Sequence, residues 1–213
     1  MSAPEAACFD NDGLFLETES GWSRAEVVLF ERHGSAFTDD HKRYLIGSSG
    51  PEAQRKLEEM LGRPGAELWT ELHALVIEEF RRAVEPMPGA VELAQALRAQ
   101  GTPVALVSNS AHDLVATAVG TAGVADLFDV VFTRDDVEHG KPAPDLYLKA
   151  CAALGADPAR SVGLEDTATG IAAVRAAGMF SIGVPSFPGV VLDDADLVAD
   201  SLADPAVLRA LGL

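Results

Sequence analysis

The stretch AACFDNDGLFLETE (residues 6–19) runs a short apolar segment straight into two acids, Asp10 and Asp12, with Gly13 behind them. Like charges at such close spacing repel, and a buried carboxylate is costly unless it meets a cation or a hydrogen-bond donor. The rest of the chain must therefore supply the compensation.

Short apolar runs ending in polar or glycine residues recur at PVALVSNS (103–110), DVVFT (129–133), SVGLED (161–166) and FSIGV (180–184). Helical patterns separate them. Ala90, Leu93, Ala94 and Leu97 fall at i, i+3, i+4 and i+7, and Leu114, Val115, Ala118 and Val119 form a second stripe. PAPDLYLKACAAL (142–154) opens on prolines, as a first helical turn can. Buried runs alternating with helices predict an open α/β architecture, a Rossmann-like parallel sheet with helices on both faces.

Residues 18–86 break that alternation. Leu68, Leu72, Leu75 and Val76 make one apolar stripe and Leu57, Met60 and Leu61 another, with turns at GSSG (47–50) and GRPG (62–65). The expectation is an α-helical cap, residues 18–86, inserted into a core formed by residues 1–17 and 87–213. A single α/β domain with a helix-rich N-terminal half is the alternative.

The formal net charge of −17 argues against nucleic acid or an anionic membrane as a partner, and any anion site must be built locally. Cys8 and Cys151 are the only cysteines, far apart in the chain, so reduced thiols in a cytoplasmic protein are expected. The N-terminus has neither a basic region nor a long apolar run, so no signal peptide is expected, and no stretch approaches a membrane span. A monomer is expected, since no heptad run appears.

Ligands of open α/β sheets bind beyond the carboxyl ends of the strands. That rule gathers Asp10, Asp12, Ser108, Asn109, Lys141, Glu165 and Asp166 at one rim. Clustered carboxylates form a hard oxygen site that suits Mg²⁺. Lys141 can hold a phosphate as a point charge. The Ser108 hydroxyl and the backbone N–H groups around Asp12, Gly13 and Asn109 can donate to its oxygens. Such a set suits phosphoryl transfer, and a carboxylate can attack phosphorus directly. The i, i+2 acids can divide nucleophile and proton-carrier roles, although the pattern does not say which takes which.

DNDGLFLETE, VSNS, KPAPDLY and GLEDTATG, in this order, resemble the four motifs of the haloacid dehalogenase-like hydrolase superfamily, in the branch with a helical cap after the first strand. The resemblance covers essentially the whole chain. It implies that Asp10 is the nucleophile and that Asp12 is the general acid and then the base, its carbonyl also a metal ligand. It further implies that Ser108 and Lys141 hold the phosphoryl group, that Asp166 is a metal ligand, and that Glu165 is a ligand or stands just behind one. Gly170 would let the following helix pack closely.

The branch contains phosphatases and phosphomutases. In β-phosphoglucomutase-like members a Lys before the cap glycine and an Arg after it grip the distal phosphate. Here Ile46 precedes Gly47, and Gly50 stands where the Arg would fall, with Lys42 and Arg43 as the candidate substitutes. A Mg²⁺-dependent phosphatase acting on a sugar or polyol phosphate through an aspartyl-phosphate is therefore expected. A phosphomutase is the alternative, and a non-catalytic binding module is a third reading disfavoured by the complete acid and lysine set. Trp22 reads as cap core or pocket wall, and Glu17 replaces a more usual Asp. Asn11 replaces a usual apolar residue without an evident reason. His112 and His139 receive no role, and Arg24, Arg81 and Arg82 read as solvated.

Overall fold

Strand β1 (Ala7–Asp10) lies at the centre of the sheet, where each residue is buried. The computed structural model describes residues 3–48, 50–187 and 189–213. After β1 come β2 (Leu16–Glu17) and four helices, α1 (Glu19–Arg32), α2 (Asp39–Leu45), α3 (Gly50–Leu61) and α4 (Gly65–Arg82). The chain returns through β3 (Glu85–Pro86) to α5 (Ala90–Ala99), β4 (Val104–Val107), α6 (His112–Ala122), β5 (Val130–Phe132) and α7 (Asp145–Leu154). It ends with β6 (Val162–Glu165), α8 (Ala168–Ala176), β7 (Phe180–Gly183), β8 (Leu197–Val198) and α9 (Pro205–Ala210).

The large sheet has the order β5-β4-β1-β6-β7-β8, and each of its pairings is parallel. From β1 the chain steps outward to β4 and β5, then crosses back to β6 on the other side. That reversal flanks β1 and opens a crevice at its carboxyl end. Side chains alternate across the sheet. Ala7, Phe9, Val104, Leu106, Val162 and Leu164 join the larger core with the α5 and α6 stripes. Cys8, Ala105 and Val107 face Leu146, Tyr147, Ala150 and Cys151 of α7 and Val174 of α8. The helices thus cover both faces, as the sequence predicts.

The two cysteines, remote in sequence, pack in one cluster as free thiols. β5 is an edge strand with Val131 38% exposed, so this apolar run is not the buried strand its composition suggests. β8, α9 and the ribbon were not foreseen, because two-residue strands and a six-residue helix carry too little periodicity.

The antiparallel ribbon β2–β3 lies where the chain leaves the sheet and rejoins it, with α1–α4 between its strands. Leu57, Leu68, Leu72 and Val76 are buried in this helical cap, while Leu75, Met60 and Leu61 are half-buried at its margin. Burying a leucine side chain fully contributes about 1.5–3 kcal/mol, so these stripes supply much of the insert's cohesion. His73 of α4 meets Asp113 of α6 at 3.0 Å, a hydrogen bond between cap and core. Arg24 and Arg82 lie exposed against Glu79, and Arg81 is exposed, as expected of solvated cap residues. No helix among the described residues is long and apolar enough to cross a membrane.

Candidate active site

β1 ends at Asp10, and the chain then turns sharply so that Asp12 bridges to Leu16. Gly13 makes the turn possible. Its φ is +83°, and a Cβ there would stand 2.5 Å from Oδ2 of Asp166. The Gly13 N–H donates to the carbonyl of Leu16, so it closes the turn instead of serving as the anion donor anticipated above.

Lys141 comes from the loop after β5. The Asn109 side chain pins that loop, accepting the Lys141 N–H at 2.8 Å and donating to its carbonyl at 3.1 Å. The lysine side chain is then driven inward, 6% exposed, where Nζ meets Asp10 Oδ1, Glu165 Oε1 at 2.6 Å and the Val107 carbonyl at 3.2 Å. On the opposite side β6 ends at Glu165, and Thr167 caps α8 by accepting the Gly170 N–H at 3.1 Å. Asp166 is the single residue between strand end and cap, and Ser186 donates to its Oδ2 at 2.5 Å.

Asp10, Glu165 and Asp166 each present a carboxylate oxygen within 4.8 Å of the others, all three buried. Burial pushes the Asp10 carboxyl well above the usual carboxylate range, Glu165 and Asp12 adding to the shift and Lys141 opposing it. Burial likewise raises Asp166, with Asp10 and Glu165 contributing. Asp10 and Glu165, both paired with it, raise the Lys141 ammonium despite its desolvation. Three acids against one ammonium leave an excess of two negative charges, which a divalent cation matches. An all-oxygen donor set is the kind Mg²⁺ takes.

Both Glu165 oxygens are committed. Oε1 accepts from Lys141 and from the Tyr147 hydroxyl, each at 2.6 Å, and Oε2 accepts the Asp166 N–H at 3.2 Å. A Cβ at Gly170 would collide with this carboxylate, so the close packing expected at that glycine is against a side chain of the site. Asp12 stands apart from the trio. Its carboxylate accepts hydroxyls from Thr18, Ser108 and Ser110, all at 2.9 Å. Ser108 is fully buried behind Asp12, whereas Ser110 and Asn109 line the pocket with Asp10, Asp12, Lys141 and Asp166.

Thr18, Ser110, Tyr147 and Ser186 escaped the sequence reading. Ser110 and Tyr147 lie inside quoted motifs, VSNS and KPAPDLY, so a signal existed for them. Nothing local marks Ser186, which reaches Asp166 from the loop after β7. His112 and His139 are not among the pocket's lining residues, and His139 is exposed beside Asp145. Glu17 lies at the surface and accepts the Ser20 N–H at 3.1 Å, tying down the first turn of α1.

Asn11 is fully buried, with neither amide atom meeting a hydrogen-bond partner among the described residues. An unsatisfied buried polar group costs about 1–3 kcal/mol, and an apolar group of the same shape removes that cost. Asn11→Leu is therefore expected to raise the unfolding free energy by roughly 1–3 kcal/mol in urea denaturation. An unchanged or lower midpoint would show that the amide is satisfied.

The cap closes over the pocket with a second buried cluster. Glu19, Trp22 and Glu26 fall on one face of α1, and Lys42 of α2 reaches across to them, its Nζ 2.7 Å from Glu19 and 3.2 Å from Glu26. Trp22 stacks on Trp69 of α4 at a centroid distance of 6.2 Å and an interplanar angle of 26°, and meets Phe80 edge-on. Both tryptophans line the pocket, so Trp22 is at once cap core and pocket wall.

Burial raises the Glu26 carboxyl from an ordinary 4.5 to about 7, opposed by Lys42. Because folding raises this pKa, the folded chain holds the proton more tightly than the unfolded chain. Stability from this group is therefore lost as pH rises from about 4.5 through about 7. Glu26→Gln, which cannot titrate, is expected to flatten that part of a melting-temperature profile. A profile as steep as the wild type's would exclude Glu26 as its source.

The sequence model of the haloacid dehalogenase-like hydrolases matches residues 4–178. Validoxylamine A 7'-phosphate phosphatase of Streptomyces hygroscopicus subsp. limoneus is 32% identical over 202 residues, spanning 94% of this chain and 95% of that one. Hexitol phosphatase B of Escherichia coli (strain K12) is 29% identical over 208 residues, spanning 87% of each chain. The crystal structure of CbbY from Rhodobacter sphaeroides in complex with phosphate superposes with a TM-score of 0.85 at 25% identity, covering 99% of this chain and 100% of the other. The family match takes in every motif that forms the acidic pocket, and the chain belongs to the haloacid dehalogenase-like hydrolases.

Proposed function

We propose that the protein is a Mg²⁺-dependent phosphatase that hydrolyses a small phosphorylated metabolite, a sugar or polyol phosphate, through an aspartyl-phosphate on Asp10. The observation that carries this reading is the environment of Asp10. Its carboxylate is buried at the pocket floor with Lys141 on Oδ1, which leaves Oδ2 to attack. One relative named above is a phosphatase of validoxylamine A 7'-phosphate and another a hexitol phosphatase, in keeping with the reading.

Lys141 opposes protonation of Asp10 and orients its carboxylate, and its own position is set by Glu165, Tyr147 and the Asn109 clamp. Asp10 and Asp166 would hold Mg²⁺, with Glu165 behind them because its oxygens are already occupied. When bound, the ion supplies electrostatic stabilisation to the phosphoryl oxygens. The backbone around Asn109 faces the same space and would donate to those oxygens, while Ser108 and Ser110 hold Asp12 through their hydroxyls.

Asp12 is assigned the proton transfers. Its carboxylate oxygens are taken by three hydroxyl donors. To carry a proton to the leaving oxygen it must release one of them, and Thr18, at the junction with the cap, is placed to move with cap opening. The returning carboxylate then takes a proton from water as that water attacks the phosphoaspartate.

Hydrolysis is preferred to phosphomutase chemistry because, among the described residues, Lys42 is the one cap cation that lines the pocket, and it is already paired. Lys42 is held between two glutamates, and Arg43 is exposed and paired with Asp40. The test is phosphate release from a panel of sugar and polyol phosphates, with and without Mg²⁺ after chelation. Turnover that requires Mg²⁺ supports the reading, and no release from any ester defeats it. Conversion of β-glucose 1-phosphate to glucose 6-phosphate without free phosphate, in the presence of glucose 1,6-bisphosphate, would favour the mutase instead.

A further inference from the structure

The pocket has two ends. One is the acidic floor described above, and the other is the cap cluster of Glu19, Glu26 and Lys42 flanked by Trp22 and Trp69. Among the described residues Lys42 and Lys141 are the two cations on its wall, and each is clamped between two carboxylates. The Lys42 side chain is 6% exposed and that of Glu26 4%, so these charges are held in place by packing and are not free to swing onto a ligand. Glu19 is the more accessible carboxylate at 19%, and its ion pair with Lys42 is not aligned as a hydrogen bond.

The charge count decides what this end can accept. Two carboxylates and one ammonium sum to minus one, or to zero when Glu26 carries a proton, and a second phosphate or a carboxylate would enter without a counter-charge. A desolvated anion in that position is costly. Hydroxyl groups suffer no such penalty, because carboxylate oxygens accept their hydrogen bonds. Indole faces pack against the apolar faces of a ring and attract cations.

We propose that Glu19, Glu26 and Lys42, with the Trp22–Trp69 pair, form a recognition subsite for the alcohol half of the phosphate ester. The subsite selects a hydroxyl-rich group that carries no second anion and favours one bearing a protonated amine. This inference rests on the phosphatase reading and narrows its substrate class. Glu19 makes the adjustable contact, Lys42 holds the two glutamates together, and the indoles form the walls.

The test compares kcat/KM for glucosamine 6-phosphate, glucose 6-phosphate, fructose 1,6-bisphosphate and 3-phosphoglycerate, with p-nitrophenyl phosphate as a generic ester. The aminated and neutral sugar phosphates are expected to exceed the bisphosphate and the phosphorylated carboxylate by at least about tenfold, as unpaired like charges cost several kcal/mol at a recognition surface. Glu19→Gln should shrink the ratio of aminated to bisphosphorylated substrate, and Lys42→Met, which removes a positive charge, should enlarge it. Should Lys42→Met fail to fold, Glu26→Gln replaces it and should shift the ratio in the same sense as Glu19→Gln. Turnover of p-nitrophenyl phosphate together with a preference for the bisphosphate, or a ratio that none of these variants moves, would overturn the subsite while leaving the phosphatase reading intact. Failure to hydrolyse any ester, p-nitrophenyl phosphate included, would overturn both.

Discussion

Asp10→Asn is expected to lower kcat/KM for phosphate release by roughly 10⁴-fold or more while the protein remains folded, because an amide cannot become the phosphorylated nucleophile. The substitution preserves shape, so the lining of the pocket and the β1 backbone should be retained. The buried cluster loses one negative charge, which reduces repulsion among the remaining acids, while Lys141 keeps Glu165 as its partner. Circular dichroism and melting under identical conditions separate loss of chemistry from loss of fold. A folded Asp10→Asn protein retaining about a tenth of wild-type turnover would mean that another group attacks phosphorus.

The second large effect concerns Lys141. It is the one ammonium among three buried carboxylates, and removing one partner of such a group leaves uncompensated charge in a low-dielectric interior. Lys141→Met, which roughly conserves the length of the stem, is expected to cost about 3–5 kcal/mol of stability in the absence of divalent cation and to abolish turnover. Added Mg²⁺ should raise the melting temperature of this variant more than that of the wild type, because it then opposes a larger excess of negative charge. Denaturant unfolding with and without Mg²⁺ measures both quantities. A variant as stable as the wild type without the ion would show that the three acids are not simultaneously charged in the folded chain.

These two effects follow from one arrangement, in which a lysine and its supporting groups hold Asp10 inside an excess of acid. Its parts differ in how clearly they could be read beforehand. Asp10, Asp12, Lys141 and Asp166 were legible because each stands at a strand end inside a short motif, and the carboxyl-end rule gathers strand ends without coordinates. The division of labour among Glu165, Ser108 and Asn109 was not. Glu165 was read as a metal ligand or a group just behind one, Asn109 through its backbone N–H and Ser108 through its hydroxyl; the side chains of Glu165 and Asn109 position Lys141, and the Ser108 hydroxyl goes to Asp12. A motif records which residue is present, whereas its hydrogen-bond partner depends on the element packed against it.

The cap shows the same limit more strongly. Its helices announced themselves through the Leu68, Leu72 and Val76 stripe, and the absence of a cationic grip at Gly50 was visible in the sequence. Lys42 could be named as a substitute cation, but nothing local revealed that Glu19 and Glu26, sixteen or more positions earlier, neutralise it. Trp69 never entered the reading, since its contact with Trp22 joins α1 to α4.

By itself, the sequence determined the parallel α/β core, the helical insertion after the first strand and the four motifs that the fold gathers at one pocket. Each of these depends on periodicity within a segment or on spacing within a motif, and both are local properties of the chain. Tertiary structure alone decided which side chain neutralises which, that the lysines on the pocket wall are clamped and not free, and that Asn11 is buried without a partner among the described residues. Those outcomes are set by distances between elements far apart in sequence, where desolvation and Coulomb energy change steeply over a few ångströms and leave no trace in the local pattern.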